Sequence, residues 1–250
     1  MSLVEYPGAY LAGVAAQLIV YSVDMLIIFV VVWNFGTLAG WLPMEVIFIF
    51  ATWLLSYAIG ATFTFNIAIN FREMAIRGTL DEAYTRPMPP FLYLISTHIN
   101  LAYVAHVTVT VVALAISIVQ LNITWTALQW IWLAVMIGAG AIIQGCMLLL
   151  CNMLALRTRS ESPTIIFWTV NFDFIRYPIS IYPRFLQIIF TAILPYAFIS
   201  FYPAQVLLGK QDGIFANVTM WLSPVVAVLL IGITALCWSK VAEGYESAGT

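Results

Sequence analysis

From residue 11 to residue 41 the chain carries a single formal charge, Asp24. One helix of that length would measure about 46 Å, against a bilayer hydrocarbon core of about 30 Å. A carboxylate at the bilayer centre is also costly. The run is therefore expected to bend, with residues 6–22 lying along the interface, Asp24 near the boundary, and the first crossing over about 23–41. The rest of the chain is equally oily: 63% of residues are hydrophobic and 8% charged, where soluble domains carry about 25%. Too little polar surface is left to cover a soluble globule, so the chain reads as an all-α integral membrane protein.

Apolar runs between polar or proline-bearing breaks place further crossings at about 44–66, 91–119, 126–152, 185–208 and 218–239, six in a single domain over 1–250. Residues 40–43, Gly-Trp-Leu-Pro, read as a turn with an aromatic anchor. Residues 155–184 read as a polar, proline-punctuated linker whose apolar stretch 165–170 is too short to cross. Eight of the nine cations then fall on one side: Arg72, Arg77, Arg86, Arg157, Arg159, Arg176, Arg184 and Lys240, against Lys210. The positive-inside rule puts that side, and both termini, in the cytoplasm. Glu5 without any preceding Lys or Arg predicts no cleavable leader. Cys146, Cys151 and Cys237 lie in apolar runs and form no CxxC, which argues against disulfide or zinc frameworks. A net charge of −2 argues against a nucleic-acid partner.

Six of the twenty charges are packed into residues 71–90. Glu73 and Arg77 have favourable i,i+4 spacing, Ile76, Leu80 and Tyr84 recur every four residues, and Pro87, Pro89 and Pro90 end the pattern. A short amphipathic helix between crossings two and three is expected, read either as a solvated connector or as a docking element.

Gly40-Trp41, Arg77-Gly78-Thr79-Leu80-Asp81 and Arg86-Pro87 resemble the G-x-L-D and R-P pattern of type-2 ABC transporter permeases of a bacterial six-span exporter branch. Tyr177-Pro178, Ile181-Tyr182-Pro183, Leu194-Pro195-Tyr196-Ala197-Phe198, Tyr202-Pro203-Ala204 and Leu208-Gly209 are similar to its fifth-span signature. The ending Tyr245-Glu246-Ser247-Ala248-Gly249-Thr250 is similar to its Y-x-S-x-G close. The family's Tyr-Arg-x-Asp pattern is here Tyr21-Ser22-Val23-Asp24, without the cation. The resemblance implies a subunit in the bacterial cytoplasmic membrane, paired with a second, identical or related permease, surrounded by lipid and driven by a dimeric cytoplasmic ATPase. No G-x-x-x-x-G-K-[ST] phosphate loop occurs in the sequence, so ATP and Mg are expected on that other chain. Arg72, Glu73, Arg77, Gly78, Asp81, Arg86 and Pro87 become the candidate ATPase-coupling residues.

The candidate substrate path is drawn from Trp53, Tyr57 and Phe65 on the second crossing and Pro195, Phe198, Phe201 and Tyr202 on the fifth, suited to an apolar or cationic cargo. Phe63 shares the second crossing. Pro195 should kink its helix. The stretch after Pro203, with Lys210 and Asp212, is a candidate cap. Among the intramembrane polar groups Asn66, Asn70, His98, Asn100, His106, Gln144 and Asn152, the two histidines are about 80° out of register, so no metal site is expected. No G-x-S-x-G, H-E-x-x-H or paired intramembrane carboxylate marks an enzyme. A secondary transporter or channel without an ATPase is the competing class; midplane charges and repeated halves would mark it.

Overall fold

The computed structural model describes residues 7–76, 79–158, 160–211 and 221–243, all helical or irregular. Its long helices are α1 (Pro7–Phe35), α2 (Pro43–Ile76), α5 (Val104–Gln120), α6 (Ala127–Thr158) and α10 (Ser223–Glu243), with shorter helices α3 (Thr79–Thr85), α4 (Pro90–Thr97), α7 (Ser162–Thr169), α8 (Arg184–Ile188) and α9 (Phe201–Leu208) between them. Among the described residues five helices are long and apolar enough to cross a membrane. The helix α2 is the core, with 83% of its most apolar window buried against 6% for α1.

Small residues set the closest approach. A Cβ on Gly60 would collide with the Ala141 carbonyl oxygen, and one on Gly145 would sit 3.0 Å from a Thr64 methyl. Backbones that meet this closely exchange dispersion contacts unavailable to bulkier residues, and these drive helix association where lipid is as apolar as the side chains. At the start of α2, Leu38 and Trp41 exchange backbone hydrogen bonds of 2.9 and 3.0 Å around Gly40, whose φ of 85° favours glycine. This end of the bundle is called the Trp41 end. At the other, the Trp238 ring on α10 packs 5.0 Å from Phe71 and 5.4 Å from Phe91.

The first crossing differs from the sequence reading. No bend separates an interfacial segment from a span: α1 is one helix of 29 residues through Asp24. At its midpoint the Tyr21 ring lies 4.1 Å from that of His106 on α5. Asp24 sits near the middle of the apolar stretch Leu11–Phe35 and is half-buried against the bundle, so it need not sit at a boundary. An overlong continuous helix is accommodated by tilt.

The third crossing is broken after α4. Asn66 on α2 donates to the His98 carbonyl at 3.1 Å and accepts from the Asn100 amide side chain at 3.2 Å. The Asn100 backbone N–H reaches the Thr62 carbonyl at 2.9 Å. Backbone freed at bilayer depth is thereby satisfied from a neighbouring helix.

The largest correction concerns the fifth crossing. Residues 160–181 are not a linker at one end: they run antiparallel to α2 along its length. Glu161 lines one small cavity with Phe71, Trp168 packs 6.1 Å from Phe65, Asn171 bonds Trp53, and Ser180 bonds Trp41. Residues 185–208, read as the fifth span, instead belong to a hairpin bent by 74° between Arg184–Ile193 and Pro195–Leu208. Both of its ends lie at the Trp41 end. Pro183 follows Ser180 closely, the Leu207 carbonyl accepts from Trp125 at 3.1 Å, and Lys210 pairs with Glu45 at 2.6 Å. Arg176 and Arg184 accordingly move to the Trp41 end; among the described residues Arg72, Arg86, Arg157 and Lys240 remain at or near the Trp238 end.

Candidate functional site

At mid-bundle, α1, α2, the start of α5 and the fifth crossing surround a cavity of about 570 Å³, within the range of small-molecule sites. Its walls are aromatic. Tyr57 meets Tyr103 edge-on at 5.7 Å and Phe172 at 5.1 Å, and the Tyr57 and Tyr103 hydroxyls lie 3.1 Å apart. Trp168 stacks 5.5 Å from Phe172, and His106 lies 4.7 Å from Tyr103. Asp173 supplies the carboxylate of the lining, which among the described residues contains no Lys or Arg. Rings with negative faces plus one carboxylate make a site electrostatically suited to a positive or neutral apolar guest. His106 is 4% exposed, yet its Nδ1 has no hydrogen-bond partner.

The wall carrying Asp173 is fixed by a three-residue junction. The Trp53 indole, which can only donate, gives its N–H to Asn171 Oδ1 at 2.9 Å. That choice forces Gln144 to approach the same oxygen with its Nε2, at 2.8 Å. Asn171 is fully buried and lies in a wide helical turn, Val170–Phe174, that departs from α-helical geometry. Such turns inside helices recur at functional sites. The junction ties α2, α6 and the fifth crossing at one level.

Of the residues expected on the path, Tyr57 and Phe65 line the cavity and Trp53 stands behind its wall. The other four do not reach it. Pro195 forms the hairpin bend; Phe198 packs 5.4 Å from Tyr202, and Phe201 packs 5.7 Å from Trp41. Tyr202 bonds Thr191 at 3.0 Å within the hairpin. Lys210 closes the Trp41 end by three contacts: Glu45, the Gly40 carbonyl at 2.8 Å, and the Trp41 ring at 4.7 Å. Asp212 lies outside the described residues. Tyr103, Trp168, Phe172 and Asp173 escaped the sequence reading, and Tyr21 entered it only through the Tyr-Arg-x-Asp comparison; Asn171 and Asp173 within the aromatic run 168–173 were the available signal. Among the described residues no group of His, Cys, Asp and Glu gathers to hold a metal.

At the Trp238 end, α3 follows the end of α2, and the two together are called the elbow. Leu80 and Ala83 of α3 are buried, as are Phe71 and Met74 of α2, so the elbow is packed rather than hanging free. Arg86 donates to Glu82 at 2.6 Å, Tyr93 donates to the same carboxylate oxygen at 2.9 Å, and the guanidinium sits 5.4 Å over the Tyr93 ring. The Arg86 hydrogen bond, then that of Tyr93, holds the Glu82 carboxyl below the usual glutamate range. Tyr84 is pushed up by partial burial, opposed by the Trp238 indole N–H beside it. Pro87 is exposed after the helix, and Glu73 is exposed on α2. Arg72 belongs to α2 and Asp81 to α3, while Arg77 and Gly78 lie outside the described residues.

A protein-family model described as ABC-2 family transporter protein matches residues 18–249. No curated protein and no solved structure matches the chain. With nearly the whole length matched over an all-helical, multi-pass fold, the chain belongs to the ABC-2 family of transporter proteins, as its membrane subunit.

Proposed function

We propose that the chain is an exporter permease that moves an apolar or cationic cargo across the bacterial cytoplasmic membrane, using ATP hydrolysed on a separate ATPase dimer. The observation that carries this reading is α2 itself. Its 34 residues span about 51 Å, some 20 Å more than the hydrocarbon core. The same rigid element holds Tyr57 and Phe65 in the cavity wall and, at its far end, the elbow with α3. A push on the elbow therefore reaches the cavity without an intervening joint, a rigid-body use of binding energy. The cation excess at the Trp238 end supports a cytoplasmic elbow, within reach of an ATPase that would contact Arg72, Glu73, Arg77, Gly78, Asp81 and the Arg86-Pro87 exit. Two permeases, of one species or two, complete the transporter.

Asp173 on the cavity and Asp24 midway along α1 favour one competing reading, a carrier driven by an ion gradient. Transport in membrane vesicles separates the two. Loss on ATP depletion, with persistence after the proton gradient is collapsed, supports the ATP-driven permease; the opposite pattern overturns it. Purification in mild detergent should bring down an ATPase chain and reveal one permease species or two.

A further inference from the structure

The face that α1 turns to the bundle is not uniformly apolar. Gln17, Tyr21 and Asp24 are half-buried on it, while Val20, Ser22 and Val23 between them are exposed. At 3.6 residues per turn the three side chains leave the helix within about 60° of one another, and at 1.5 Å per residue they climb about 10 Å along it. The helix leads on to the turn at Trp41, so that climb runs toward the Trp41 end. Gln17 and Tyr21 line the aromatic cavity. Asp24 stands about 4.5 Å further on.

Polar atoms along this track lack partners. Gln17 Oε1 and His106 Nδ1, both on cavity-lining residues, are buried without a hydrogen bond. Among the described residues Asp24 has neither an ion pair nor a hydrogen bond. Buried polar groups are ordinarily paired, and an ionisable group at bilayer depth that faces the bundle interior marks a substrate or ion pathway. Beyond Asp24 the same face carries Ile28 and Val32, both fully buried, so Asp24 is the last polar group on this face before an apolar closure. A cation entering apolar surroundings bears a large desolvation cost, which a nearby carboxylate offsets. Of the five long helices α1 also has the least buried apolar window, so it can shift with little loss of packing.

We propose that Asp24 is a second binding position for a cationic cargo, which the positive group reaches after leaving Asp173 and the rings of the cavity and occupies before release at the Trp41 end. The inference rests on the reading of the chain as an exporter of such a cargo. Inside-out membrane vesicles from cells making the full transporter are given ATP, and accumulation of a quaternary ammonium dye is compared with that of a neutral apolar dye of similar size. In Asp24→Asn the ratio of cation to neutral transport should fall about tenfold, in the maximal rate rather than in the half-saturating concentration, because the cavity that first takes the cation is intact. Asp24→Ser, a second uncharged variant, should behave alike, and Asp24→Glu, which keeps the carboxylate, should restore most of the ratio. A merely structural aspartate would not separate the two dyes, and a thermal melt of each variant checks that it folds. An unchanged ratio in both uncharged variants overturns the proposal and leaves the exporter reading standing, as does equal loss of both dyes, the pattern of a carboxylate that every cycle requires. Wild-type vesicles that accumulate neither dye on ATP overturn the exporter reading, and the proposal with it.

Discussion

The Trp41 indole N–H donates to the Ser180 hydroxyl at 3.0 Å, across 139 residues of sequence. This bond fixes the start of α2 beside the far end of the segment that begins at Ser162. The fifth crossing therefore finishes at the same end of the bundle as Lys210 and its partner Glu45.

Topology follows from that bond. In a background lacking Cys146, Cys151 and Cys237, cysteines at Ser180 and Lys210 should react with a membrane-impermeant maleimide from one side. A cysteine at Lys240 should react from the other. Labelling of Ser180→Cys from the Lys240 side would restore residues 155–184 to a linker.

The asparagine junction should be energetically conspicuous. Asn171→Ala strands the Trp53 and Gln144 donors in a buried site, at a cost on the order of 2 kcal/mol or more, because an unpaired buried donor keeps its full desolvation penalty. Asn171→Leu with Trp53→Phe and Gln144→Leu removes all three polar groups together and should cost much less. Melting curves in detergent compare the two; equal destabilisation would deny the junction this role.

Much of the bundle is legible in hydropathy because crossings that meet lipid or one another through apolar side chains are apolar throughout. The helices α2, α6 and α10 lie close to the runs at 44–66, 126–152 and 218–239. The fifth crossing obeys a different constraint. It lies against α2, so its wall can carry Asn171, fully buried and bonded, and Asp173, turned to the cavity. No window of 20 apolar residues marks it. The converse error arose at residues 185–208, where composition suits a span but Leu194, extended at φ −113° and ψ 95° before Pro195, folds the run back. The aromatic site was half visible for a related reason: Tyr57 and Phe65 announce themselves on one helix, while Tyr103, Trp168 and Phe172 meet them only through tertiary packing.

Asp173 should discriminate cargo by charge. Asp173→Asn is expected to weaken transport of a quaternary ammonium dye by about tenfold, the worth of roughly 1.4 kcal/mol, while a neutral apolar dye of similar size moves unchanged. Equal loss for both dyes would reduce Asp173 to a structural group.

The connection from α3 to α4 should loosen in acid. The Glu82 carboxyl is lowered in the folded state, chiefly by its hydrogen bond from Arg86. Its contribution is therefore complete above the ordinary glutamate pKa and is lost as pH falls through the lower folded value. Cleavage by pepsin, an acid protease, after Tyr84 should accelerate over that acidic window in the wild type, whereas Glu82→Gln should be cleaved at the fast rate throughout. A wild-type rate flat across the window would contradict the pairing.

The central claim, that the work of ATP enters through the α2–α3 elbow, is tested most directly by ATP-driven export from cells expressing Arg77→Glu or Asp81→Arg, with membrane insertion measured in parallel. The account predicts normal insertion and export reduced by at least about tenfold. Export at the wild-type rate in both variants would contradict it.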